Sequence, residues 1–141
     1  MKISETSIIE QLRADGHRVT TARRAIVRGL LRSKAPVSAL QVHALLRKRQ
    51  LETNNVTVYR ELAFLEAEGF LHGVTLKDGV KRYCLASNGH HHHLICTGCN
   101  AVQDVKMEHD LDSFEKKIAR QKSFTVQSHS LEFYGLCARC G

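Results

Sequence analysis

Apolar residues recur at helical spacing four times in the first half of the chain, and the pattern then shortens to that of strands. Ile8, Ile9 and Leu12 share a helix face and stop at Asp15-Gly16, which predicts a first helix ended by glycine. Thr20 or Thr21 caps a second helix carrying Ala25, Ile26, Leu30 and Leu31. Beyond Pro36, Ser38 and Gln41 have the spacing of a capping box, which opens a third helix. Its inward residues are Leu40, Val42, Leu45 and Leu46, and it ends in Arg47-Lys48-Arg49, cations suited to the negative end of the helix dipole. Asn54 or Asn55 caps a fourth helix, 56–68, that turns Val58, Leu62 and Leu65 to the core before Gly69 stops it.

Two β-prone runs, 70–76 and 80–85, flank Lys77-Asp78-Gly79 and read as a hairpin. Helices followed by a small hairpin, among many basic residues, make a winged helix-turn-helix over 1–85. Ala86-Ser87-Asn88-Gly89 is a short polar hinge. In the remainder, 90–141, strands are expected at 93–95, 101–105 and 123–134. An amphipathic helix over 110–122 carries Leu111, Phe114 and Ile118 on one face. The expected class is α+β: an N-terminal winged helix-turn-helix followed by a small α/β dimerisation domain. So small a core usually needs a metal staple.

The 141 residues, 43% hydrophobic and 25% charged, belong to a globular protein. No apolar run approaches the ~20 residues that span a bilayer, and Met1-Lys2-Ile3-Ser4-Glu5-Thr6 lacks the apolar core of a signal peptide. A cytoplasmic protein without membrane contact is expected, and its five cysteines there favour metal over disulfides. Charge divides sharply. Residues 1–60 hold twelve Lys/Arg against four acids, while the rest hold nine against ten. A basic half joined to a half rich in metal ligands suggests a polyanion-binding module coupled to a metal module.

The metal chemistry sits in His90-His91-His92-His93-Leu94-Ile95-Cys96-Thr97-Gly98-Cys99, answered by Cys137-Ala138-Arg139-Cys140. Two Cys-x-x-Cys turns close a tetrahedral thiolate cage around zinc with no open position, so Cys96, Cys99, Cys137 and Cys140 read as a structural site. A zinc enzyme has little support. The deaminase pattern needs a Pro-Cys-x-x-Cys, and Pro36 is the only proline; no His-Glu-x-x-His occurs.

With these residues in place, the chain resembles the ferric uptake regulator superfamily of bacterial metal-responsive repressors over essentially its whole length. The resemblance is carried by Arg18-Val19-Thr20-Thr21-Ala22-Arg23 and Thr57-Val58-Tyr59-Arg60-Glu61-Leu62. The histidine run into Leu94-Ile95-Cys96-x-x-Cys99 and His129-Ser130-Leu131 with Tyr134-Gly135-x-Cys137-x-x-Cys140 complete it. It implies a homodimer that binds double-stranded DNA at a palindromic operator. It also implies one structural zinc per subunit and one or two regulatory metals near the hinge. Members similar to zinc uptake regulators have cysteine on the wing strand, where iron regulators have Glu and peroxide sensors Asp. This chain has Cys84 there, and His72 matches a further ligand of that branch. A thiolate in place of a hard carboxylate favours zinc over Mn(II) and Fe(II).

The expected regulatory site is therefore His72, Cys84, His91 and His93, with Asp104 a rival for one place. Strand alternation sends His90 and His92 to the other face, toward an auxiliary site with Asp112 and His129. On the DNA side, Tyr59 and Arg60 lie near the start of the recognition helix, which enters the major groove. Asn55 and Thr57 can reach base edges, and Arg18 and Arg23 the backbone or minor groove; the alternative for Tyr59 is burial. The expected function is a zinc-responsive repressor of zinc-acquisition genes. The nearer alternative is the same fold sensing Fe(II), Mn(II), Ni(II) or peroxide.

Overall fold

The computed structural model describes residues 3–33, 35–86, 92–107, 111–127 and 129–141. The chain divides into two compact units, 1–88 and 89–141. Of the expected hinge, only Ala86 is among the described residues.

The first unit runs α1 (Glu5–Ala14), α2 (Thr21–Arg32), β1 (Val37–Ser38), α3 (Ala39–Lys48), α4 (Asn55–Ala67), β2 (Leu71–Thr75) and β3 (Lys81–Leu85). Its helix starts follow local chemistry. Thr20 caps α2 through the Arg23 N–H. Ser38 Oγ accepts from the Gln41 N–H while Gln41 Oε1 accepts from the Ser38 N–H, at 3.2 and 2.8 Å. Asn54, rather than Asn55, caps α4 through the Thr57 N–H at 2.8 Å. Gly16 and Gly69, at φ of 82° and 77°, take the left-handed conformation that ends α1 and α4. The following N–H groups of His17 and Phe70 then reach back to Leu12 and Leu65 carbonyls.

The first unit's core joins Ile8 and Leu12 of α1, Ile26 of α2, Leu46 of α3, and Val58, Leu62 and Leu65 of α4. Leu71 and Tyr83 close it from the sheet. Leu40 departs from expectation. It is 60% exposed, and Ala39 is buried in its place alongside Val42 and Leu46, because the inward stripe of α3 runs through 39, 42 and 46. The antiparallel sheet has the order β1-β3-β2. Lys81 lies across the bare face of Gly73, where a Cβ would collide with it, and donates to Glu66 of α4 at 2.6 Å. The hairpin is thus tied to α4.

The second unit comprises β4 (His92–Cys96), β5 (Val102–Val105), α5 (Asp112–Lys122) and β6 (Glu132–Gly135). Its sheet has the order β5-β4-β6, with β4 antiparallel to β5 and parallel to β6. The strand expected over 123–134 is confined to β6. Ser123 terminates α5 in a left-handed conformation, and the described residues of 124–131 form no strand. The apolar face of α5 stays open, with Phe114 60% exposed and Ile118 exposed too.

Candidate metal centres and nucleic-acid interface

Because β4 and β6 are parallel neighbours, Cys96↔Gly135 in register, both strands leave the sheet at the same edge. Each then turns through a Cys-x-x-Cys loop. The Thr97 N–H donates to the Gly135 carbonyl at 2.7 Å and locks the exits together. The four sulfurs of Cys96, Cys99, Cys137 and Cys140 lie within 4.8 Å of one another. Tetrahedral zinc with Zn–S of about 2.3 Å requires sulfurs about 3.8 Å apart, and Cys99 and Cys137 Sγ are 3.8 Å apart.

The electrostatics match that use. The backbone N–H of Cys137, with those of Cys99 and Gly98, holds the Cys96 thiol down to about 6. The backbone N–H of Arg139 lowers Cys137. Cys140 is pushed up to about 12 by the neighbouring sulfurs of Cys137, Cys96 and Cys99. Backbone donors ionise the first thiols, and crowding opposes the last; a dication relieves that crowding. Among the described residues, no other group of three or more His, Cys, Asp or Glu side chains is gathered so closely.

The remaining candidates are brought together in pairs. His72 and Cys84 are directly opposite in the wing hairpin, so both side chains leave one face of it. His93 opposes Asp104 across β4 and β5, with Nε2 3.6 Å from Oδ1. The imidazole of His92, buried in the sheet, leaves the opposite face and stacks obliquely on His129, centroids 5.7 Å apart. Strand alternation therefore separates His92 from His93 as expected. His90 and His91 lie outside the described residues. Asp112 is exposed on the first turn of α5, whereas Glu115, three residues on, contacts His129 Nδ1 at 2.6 Å. Sequence reasoning missed Glu115, although i, i+3 spacing from Asp112 puts it on nearly the same helix face.

In the first unit, α3 and α4 form the helix-turn-helix, and β2 and β3 the wing. The solvent side of α4 carries Asn55, Tyr59 and Arg60, with Thr57 half-buried. Tyr59 is 51% exposed, so the buried alternative is not realised. Arg18 is exposed as well. Arg23 is engaged within the protein. Its guanidinium donates to both carboxylate oxygens of Glu61, at 2.7 and 3.2 Å, and to the Arg18 carbonyl at 2.6 Å. It also lies 3.9 Å over the Phe64 ring. Arg23 is a strut between α2 and α4.

The Ferric uptake regulator family model matches residues 14–134. The ferric uptake regulation protein of Bacillus subtilis is 36% identical over 137 residues, covering 94% of this chain and 91% of its own. The peroxide operon regulator of the same organism is 30% identical, with 94% and 90% covered. Among solved structures, the Helicobacter pylori ferric uptake regulator, described with three functional metal binding sites, superimposes with a TM-score of 0.77. It is 25% identical and covers 99% of this chain and 97% of its own. A zinc uptake regulator complexed with zinc and DNA gives 0.74, also at 25% identity, with 98% and 95% covered. No helix among the described residues is long and apolar enough to cross a membrane. The chain belongs to the ferric uptake regulator family, whose members are metal-responsive transcription regulators that bind DNA as dimers.

Proposed function

We propose that this regulator answers to zinc and represses genes of zinc acquisition. The observation that carries the reading is Cys84 opposite His72 on the wing, a thiol and an imidazole where an iron or manganese site favours oxygen. The regulatory ligands are His72, Cys84, His91 and His93, with Asp104 the competitor. A structural zinc occupies the four cysteines. The auxiliary ligands are His90, His92 and His129, with Asp112 or Glu115 completing the set. Metal binding at the regulatory ligands shifts the population toward DNA-competent dimers.

Cys84→Ser is the test. The variant should keep its structural zinc and fold and lose metal-stimulated binding to an operator. Normal zinc-dependent DNA binding by this variant would remove Cys84 from the site. A second reading, in which Fe(II) or Mn(II) is sensed, draws on the carboxylate of Asp104 beside His93 and on the names of the relatives. Titrating DNA affinity at buffered free concentrations of each metal separates the two.

A further inference from the structure

We infer that Val56 is a specificity-determining residue that reads the C5-methyl group of a thymine in the major groove. The rotational setting of α4 is fixed by Val58, Leu62 and Leu65, all fully buried. At 100° per residue, Val56 and Arg60 lie roughly 150–170° around the helix from the mean direction of those three. Tyr59 lies only about 90° from it, on the flank. The outermost ridge of the recognition helix is therefore Val56, Arg60, Ala63 and Ala67, all exposed.

That ridge has the chemistry of a major-groove reader. Val56 is a β-branched apolar side chain left 56% exposed on the first turn, the part of a recognition helix that meets base edges. Arg60 stands one turn on, suited to guanine O6 and N7. Ala63 and Ala67 leave the next two turns low, so the helix can sit deep. Duplex DNA is the occupant argued for by the excess of twelve Lys/Arg over four acids in residues 1–60. Thymine is the base that offers an apolar group in that groove. The inference rests on the family's DNA-binding role and not on which metal is sensed.

The test uses the full chain with zinc, Fe(II) or Mn(II) added in parallel, and a pool of random duplexes from which the preferred sequence is selected. Each thymine of that sequence is then replaced singly by deoxyuracil, which pairs identically and lacks only the methyl. At one thymine or more per half-site the parent should lose about fourfold in affinity, the effect of one buried methyl. In Val56→Ala, an exposed change that keeps a good helix former, that particular sensitivity should vanish. In Tyr59→Ala it should persist. A Val56→Ala profile identical to the parent's, or a parent indifferent to every methyl, overturns the inference and leaves the regulator reading intact. A parent that selects no sequence with any metal overturns both.

Discussion

The Arg23 guanidinium grips Glu61 through two hydrogen bonds across 38 residues of sequence, with Nε 2.7 Å from Oε2. Both side chains are largely withdrawn from solvent, 11% and 16% exposed. A second contact on α4 lies one turn further on, where His17 meets Phe64 edge-on and Glu68 at 3.0 Å. The recognition helix is thus held along its 61, 64 and 68 side by residues from α2 and the loop before it. That leaves the ridge through Val56 and Arg60 directed outward.

Breaking this clasp should weaken folding and DNA binding by a route distinct from lost charge. Arg23→Ala leaves Glu61 without its partner and should cost about 2 kcal/mol in urea unfolding, the scale of a charge-assisted hydrogen bond. Arg23→Lys should recover only part, since an ammonium makes neither the paired bonds nor the stacking. On DNA, Arg18→Ala should lower the slope of log affinity against log salt by about 1, as loss of a phosphate contact does. Arg23→Ala should reduce affinity with the slope unchanged. A slope reduced equally in Arg23→Ala would show its guanidinium on phosphate.

Gly98 sets how closely the two cysteine turns approach. A Cβ at this position would stand 3.0 Å from Cys140 Cβ and 3.1 Å from its sulfur. Gly98→Ala should shift Cys140 by a few tenths of an ångström and weaken zinc by ~10–100-fold, the range seen when groups supporting metal ligands are changed. Competition with a chromogenic chelator measures this directly. Gly135→Ala, where an added Cβ meets nothing, is the control and should hold zinc as the parent does.

How far the sequence reveals these features depends on the distance over which each is determined. Caps and inward stripes are local, so Ser38 with Gln41 and the run Val58, Leu62, Leu65 are legible from spacing alone. The cage is legible because thiolate chemistry needs four sulfurs and the chain supplies two matched pairs. Leu40 misleads because 39, 42 and 46 form as good a stripe as 40 and its neighbours, and only packing against α4, α2 and the sheet chooses. The engagement of Arg23 is less legible still. Its type and surroundings suit phosphate, and nothing nearby signals an acid 38 positions away. Residues 124–131 have strand-like composition, but parallel pairing with β4 extends only from Glu132 to Gly135.

The wing tip has its own pH signature. Asp78 receives both guanidinium nitrogens of Arg82, at 3.0 and 2.7 Å, and the Val80 N–H at 3.0 Å. Arg82 is the larger influence, and together they hold the carboxyl at about 2 against an ordinary 3.8. A carboxylate with a depressed folded value adds stability above the unfolded value and loses it as pH falls. The tip should therefore be fully ordered above pH ~4 and loosen toward pH 2. NMR titration of the Asp78 carboxyl should give a midpoint near 2, and Arg82→Gln should return it toward 3.8. An unchanged midpoint in that variant would mean the pair does not form in solution.

Metal removal should act unequally on the two units. Among the described residues of the second unit, only His92, His93, Ile95 and Cys96 are buried, and none of α5 is. Within one protomer so small a buried set offsets little of the conformational entropy of ordering the unit, and zinc at the cage contributes its binding free energy to folding. The first unit has its own core through α1, α2, α3, α4 and the sheet. A strong chelator, or Cys96→Ser with Cys137→Ser, should therefore abolish hydrogen-exchange protection in β4, β5 and β6. Protection in α2 and α4 should persist. Added zinc should restore the chelated parent and leave the double variant unprotected. Equal loss from both units would mean that the cage supports the whole chain.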